Sequence, residues 1–156
     1  MAEISSFEKE LNESGKIIYT NVGVSMMPLL REGRDVMIIE RLDEKPKKLS
    51  AVLFVRKGVS GRGRYVVHRV VKIKKNDEYF IAGDNDAFGE TVRGEDILGV
   101  LTGVIRNGKP LNFKSFRYKC YIHLWCAPYR FRFFCLRVVR GTKAFFAAVR
   151  QKISGK

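Results

Sequence analysis

Six short runs of β-branched, apolar and aromatic residues dominate the first two-thirds of the chain and restrict what it can fold into. They span residues 17–24, 36–41, 51–55, 64–74, 78–82 and 97–105. Such runs are strand-length, and the segments between and after them are turn-formers: Gly33-Arg34-Asp35, Lys75-Asn76-Asp77, Gly83 to Gly89 and Asn107-Gly108. Many short strands with Gly-rich turns and little helix predict a mainly β fold. Before them, Ser5 and Glu8 stand at capping-box spacing and Gly15 makes a natural stop, so a short polar N-terminal helix is expected. Lys57 to Arg64 reads as a flexible basic hairpin tip.

The chain has 156 residues, about one domain, but its charge is unevenly placed. Of the net +14, almost all comes from the C-terminal part: 13 Lys and Arg and no Asp or Glu follow Asp96. Aromatics crowd into the same region, from Phe113 to Phe146. Three segments result: an N-terminal surface helix (1–16), a β domain (17–112) and a basic, aromatic tail (113–156). If 129–150 is helical, Arg130, Arg137, Arg140, Lys143 and Arg150 fall on one arc. Phe131, Phe134, Val138, Phe145 and Val149 fall on the opposite one, with Arg132 and Phe133 breaking the pattern. Such a helix suits an anionic membrane surface, contacted through residues 117–150. The N-terminus lacks a basic-then-apolar leader, and no uncharged apolar stretch is long enough to span a bilayer, so a peripheral association is expected. Basic and aromatic residues together also suit single-stranded nucleic acid, a weaker reading here. Cys120, Cys126 and Cys135 are odd in number and fit neither a zinc site nor a disulfide framework, so reduced thiols are expected.

The chemistry centres on Ser25. The run 17–24 delivers it to a turn, and Pro28 stands near the first position of an expected short helix closed by Gly33. A hydroxyl there is rigidly held and lies beside unpaired backbone N–H groups, which stabilise an oxyanion; the plain alternative is a capping Ser. Gly23, Met26 and Pro28 flank it as candidates for oxyanion and substrate contacts. Serine needs a base within hydrogen-bond reach, and the chain has only two histidines. His68 sits rigidly among valines on a strand, whereas His123 has no such setting. An imidazole base needs an orienting acid, and the loop after Gly83 offers Asp84, Asp86 and Glu90. This loop lacks the spacing of an EF-hand, and no metal or cofactor is implied.

Gly23-x-Ser25-Met26-x-Pro28, Tyr65-Val66-Val67-His68-Arg69-Val70-Val71 and Ile81-Ala82-Gly83-Asp84-Asn85-Asp86 occur in that order. Over residues 17 to 106 this resembles the signal peptidase I superfamily, which shares its fold with LexA-type self-cleaving repressors. A His at the base position is similar to the endoplasmic-reticulum and archaeal types rather than the Lys-dependent bacterial ones. The resemblance implies a serine endopeptidase that binds pre-protein or peptide segments as an added strand, near a membrane, with small side chains beside the scissile bond. Ser25 would be the nucleophile and His68 the base. The family's offset for the orienting acid falls on Glu90, with Asp84 ranked beside it and Asp86 behind. Where some relatives place a hydroxyl two residues before the nucleophile, this chain has Gly23, so an oxyanion hole would rely on backbone donors. Two alternatives stand: a non-catalytic binding module on the same fold, and a LexA-like self-cleaving regulator. The His base and the lack of a helix-turn-helix-like segment before Ser25 argue against the latter. Signal peptidases act on the far side of the membrane, whereas so basic a tail belongs on the cytoplasmic side. Either the chain works at the cytoplasmic face or a membrane-protein partner positions it.

Overall fold

The computed structural model describes residues 6–57 and 63–154. Ser5 of the expected capping box and residues 58–62 of the basic loop lie outside the described residues, as do the side chains of Phe145 and Val149. The fold is mainly β: a curled antiparallel sheet, a short N-terminal helix and a long C-terminal helix. The elements run α1 (Ser6–Ser14), β1 (Lys16–Thr20), β2 (Asp35–Arg41), β3 (Ala51–Arg56), β4 (Arg64–Ile73), β5 (Glu78–Ala82), β6 (Glu90–Arg93), β7 (Ile97–Arg106) and β8 (Lys109–Pro110). The tail follows as α2 (Phe116–Cys120), a wider π-type stretch (Tyr121–Cys126) and α3 (Tyr129–Ser154).

The sheet order is β1-β2-β7-β3-β4-β5-β6, with β8 pairing β7. Strand β3 is central, and its first four residues are all buried because both its faces are covered. Leu53 joins one cluster with Ile17, Met26, Leu30, Met37, Ile39 and Leu101. Val52 and Phe54, pointing the other way, join Val70, Tyr79, Ile81 and Ile97. Bulges at Ile38/Ile39, Leu53/Phe54 and Val70/Lys72 bend the sheet, so that it curls.

Among the described residues, pairing is incomplete at two places. Strand β1 bonds only to β2, leaving its other edge open. Strand β4 pairs with β3 along Arg64–Arg69, but β5 joins it only from Arg69 onward, so among the described residues the edge from Val66 to His68 is also open. The substrate edge expected over Val66 to Val70 is therefore free only as far as His68. The two turns Asn76-Asp77 and Asn107-Gly108 have the positive φ values that tight hairpins need. Strands β6 and β8 are the two the sequence pattern missed; β6, at four residues with one buried side chain, and the two-residue β8 give almost no periodic signal.

Asp35, at the start of β2, ties the segment after β1 to the sheet. Its buried carboxylate accepts from Arg106 Nε (2.9 Å) and Nη2 (2.6 Å) and from the Arg31 amide (2.8 Å). Arg106 also donates to Leu29 O (2.9 Å). The bond to Arg106 outweighs burial and holds the Asp35 carboxyl below its ordinary value of 3.8. Stability from this group is therefore full above that value and is lost as pH falls through the lowered one. Asp35→Asn should lower the urea midpoint at pH 7, and the gap to wild type should narrow at pH 3; equal gaps at both would contradict this linkage.

Candidate active site

Ser25 lies in a compact turn, not at a strand exit. Strand β1 ends at Thr20, four residues earlier than the run of β-branched residues suggests. Asn21 still donates its amide to Asp35 O (2.9 Å), but the chain then departs: Gly23 has φ +94° and its carbonyl accepts from Asn21 Nδ2 (3.0 Å). That φ is one that L side chains rarely adopt, which explains a Gly at this place. The Gly23 amide donates to Glu32 Oε1 (2.8 Å).

The helix expected after Ser25 does not form. Residues 25–30 make successive turns, closed by Met27 N to Val24 O (3.1 Å) and Leu30 N to Met26 O (2.9 Å). The carbonyl that would start a helix is occupied from elsewhere: Asn85 donates its amide to Ser25 O (2.7 Å) and its side chain to Val24 O (3.2 Å). Pro28 is exposed and lies on a separate groove with Leu29, Arg106 and Tyr118, so it makes no part of the site. Oxyanion donors must then come from the turn itself. Among the described residues the amides of Ser25 and Met26 and the Ser25 hydroxyl make no hydrogen bond. Unpaired amides at a nucleophile are the donors an oxyanion requires.

His68 stands opposite Val52 on β4 and is only 4% exposed. Two carboxylates flank its ring. Asp86 Oδ2 lies 3.4 Å from Nε2, and Glu90 Oε1 lies 3.6 Å from Nδ1, which is buried and without a hydrogen-bond partner among the described residues. Glu90 is the first residue of β6 and is held there by the guanidinium of Arg56, whose Nε donates to both carboxylate oxygens (2.9 and 3.1 Å) and whose Nη2 donates to Oε1. Burial pushes the imidazole below its ordinary 6.5 and the repulsion of Arg56 adds to this; the attraction of Asp86 and Glu90 does not reverse it. A neutral ring at pH 7 is able to accept a proton.

Asp84 is not on His68. It is fully buried, and its carboxylate binds Arg69 in a two-pronged pair (Nε 2.8 Å, Nη2 2.6 Å) and accepts from Tyr121 Oη (2.6 Å). Cys126 Sγ lies 3.6 Å away and Arg132 Nη1 3.7 Å. With both its oxygens so occupied, Asp84 holds the loop, and the acids left to orient His68 are Glu90 and Asp86.

Ser25 and His68 line one cleft of about 760 Å³, together with Gly23, Met26 and Asp86. The open edge of β1, with Tyr19 and the following Asn21 and Val22, lies along it, as does the open edge of β4 from Val66 to His68. Met26, Met37, Ile39 and Leu53 supply apolar lining. Phe7 of α1 packs against both Tyr19 and Tyr65 (ring centroids 5.0 and 5.1 Å apart), joining the two edges. Glu90 is not in this cleft; it opens onto a separate groove with Arg56 and Arg93, on the far side of the imidazole.

The tail contributes in a way its sequence did not reveal. The docked residues of α3 are the two that break the expected pattern, Arg132 (1% exposed) and Phe133, whereas the five basic residues of the expected arc stay exposed, Arg140 while it bonds the 83–89 loop. The aromatic arc faces outward, with Phe131 66% and Phe134 63% exposed. Arg132 and Arg140, eight residues apart, fall on one face of α3, which is the signal that could have identified them; Trp125 precedes α3 in the π-type stretch and gives no such signal. Cys126 is buried against Asp84, which with burial pushes its thiol up to about 11; Cys120 and Cys135 are unpaired and half-buried. Among the described residues no cluster of His, Cys, Asp and Glu could hold a metal, and no helix is long and apolar enough to cross a membrane.

Gly83 is where the loop meets the Ser25 turn. A Cβ there would stand 2.6 Å from Ser25 O and closer still to the Asp86 carboxylate. Gly83→Ala should lower stability by about 1–3 kcal/mol and shift the NMR signals of Ser25 and His68 together. Unchanged signals at both residues would separate the loop from the site.

Comparison with protein-family models, curated proteins and solved structures finds no match to this chain.

Proposed function

We propose that the chain is a serine endopeptidase of the signal-peptidase type, which cuts extended pre-protein or peptide segments at a membrane surface. The observation that carries this reading is the meeting of Ser25 and His68 in one cleft bordered by two unpaired strand edges. An extended peptide would satisfy those edges as an added strand, which passes its backbone by the Ser25 hydroxyl. Ser25 attacks the scissile carbonyl, His68 takes the hydroxyl proton and returns it to the leaving amine, and the Ser25 and Met26 amides receive the oxyanion. Glu90, set beside Nδ1 by Arg56, selects the tautomer that leaves Nε2 free to accept. Asp86, which lies at Nε2, gives way to the substrate.

The outward stripe of Leu124, Phe131, Phe134 and Val138, flanked by Arg130 and Lys143, supports an anionic bilayer surface as the second partner. The tail carries no acid of its own, so its exposed basic residues add to that attraction. The same basicity favours the cytoplasmic face, or a membrane-protein partner that positions the domain. A second reading, a non-catalytic peptide-binding module, is favoured by one observation: no hydrogen bond joins Ser25 to His68, whose Nε2 faces Asp86. Catalytic contacts are often long before substrate binds, which keeps the peptidase reading ahead.

Cleavage of a pre-protein reporter with small residues at the scissile site, on anionic liposomes, distinguishes these. Wild type should cleave it, and Ser25→Ala and His68→Ala should each lower the rate by about a thousandfold or more. Binding without cleavage by wild type would favour the module. The depressed pKa of His68 adds a pH signature. Activity should persist below pH 6.5 and fall only as pH drops through the lowered value, since protonation removes the base. An acid limb above pH 6.5 in kcat/KM would contradict His68 as that base.

A further inference from the structure

The loop from Gly83 to Asn85 is bonded on two sides. Its three consecutive backbone carbonyls all accept from tail side chains: Gly83 O from Arg132 Nη2 (3.2 Å), Asp84 O from Trp125 Nε1 (3.0 Å) and Asn85 O from Arg140 Nη2 (2.6 Å). On its other side Asn85 donates both its amide and its side chain to the carbonyls of the nucleophile turn, Ser25 O and Val24 O. Phe88, further along the same loop, lies under the Arg137 guanidinium (4.7 Å to the ring centroid). Asn85 is thus a single residue held by the tail through its carbonyl and holding the Val24 and Ser25 carbonyls through its donors. The next residue is Asp86, at the Nε2 of His68. The tail face opposite these contacts is the outward apolar stripe.

We infer that Arg140 and Asn85 are positioning residues, through which contact of the tail with an anionic bilayer orders the Ser25 turn. This rests on the peptidase reading above for its catalytic consequence, but the coupling itself is a property of the fold. Helix α3 is exposed on the far side from the loop, so a surface that immobilises its apolar stripe fixes the helix without covering the cleft's own residues. Fixing the helix holds Arg140 on Asn85 O, and Asn85 then holds the carbonyls on either side of the Val24–Ser25 peptide. A hydrogen bond that holds a nucleophile acts on the chemical step more than on substrate binding.

The test uses the full chain with vesicles of phosphatidylcholine and phosphatidylglycerol, reading amide hydrogen exchange and cleavage of a soluble quenched peptide. Vesicles should slow exchange over residues 24–27 and 83–90 in wild type and raise kcat with little change in KM. Arg140→Ala should bind the same vesicles, lose the slowing at residues 24–27 and lose about fivefold in kcat. Arg140→Lys, which keeps one donor, should recover most of both. Phe131→Ser with Phe134→Ser should leave basal cleavage unchanged and abolish the vesicle effect. Wild-type exchange at residues 24–27 in vesicle-bound Arg140→Ala would overturn the coupling. Coupled exchange without any cleavage would instead overturn the peptidase reading and leave the coupling standing.

Discussion

A carboxylate with no access to water has to be fully paired, and Asp84 is the group on which this structure turns. Its partners come from two regions far apart in sequence: Arg69 from β4, and Tyr121, Cys126 and Arg132 from the tail. All of them can donate. The Asp84 bond keeps the Arg69 guanidinium charged despite burial, and burial together with Asp84 pushes Tyr121 up so that its hydroxyl keeps its proton. Arg69 is the neighbour of His68 in the same strand, and Asp84 is the neighbour of Asn85, which holds the Ser25 turn. Removing one member of such a pair leaves a buried charge behind, at a cost of about 3–5 kcal/mol. The geometry of Ser25 against His68 therefore depends on a pair that does no chemistry.

The tail's composition follows from the same constraint. Its arginines have no acids of their own to pair with, so those that face the domain use backbone carbonyls and Asp84 instead. What is left outward is aromatic and aliphatic, flanked by the remaining basic residues. An acid on the docked face would compete with the loop carbonyls for these guanidinium groups. The charge imbalance that first marks this region is thus partly structural, which a count of charges alone does not show.

Much of the β framework was legible because β-branched runs and turn residues act locally. Residues 78–82 form β5 over those limits, and β2, β3, β4 and β7 differ by a residue or so at their ends. Ser25, His68, Asp86 and Glu90 are brought together as chemistry-bearing types at the expected places in the chain. The failures share one cause: acceptors on the backbone leave no trace in the residue alphabet. The carbonyls of Val24 and Ser25 are claimed by Asn85, so the Pro28 segment forms turns where local preference suggests a helix. The carbonyls of Gly83 to Asn85 are claimed by Trp125, Arg132 and Arg140, so the tail docks through Arg132, the residue that broke the expected arc, as well as through Arg140 of that arc. Asp84 looked like a catalytic acid because its type and position suit one; only burial beside Arg69 assigns it elsewhere.

The central claim, that Ser25 is a nucleophile served by His68, is tested most directly by trapping the covalent intermediate. A peptide ester with a small residue at the scissile position is mixed with the full chain, quenched in acid within milliseconds to seconds, and the digest is weighed by mass spectrometry. The account predicts an acyl adduct on the fragment containing Ser25 that forms and decays, is absent from Ser25→Ala, and forms far more slowly in His68→Ala. Turnover with no adduct at Ser25, or an adduct that forms as fast without His68, would contradict it.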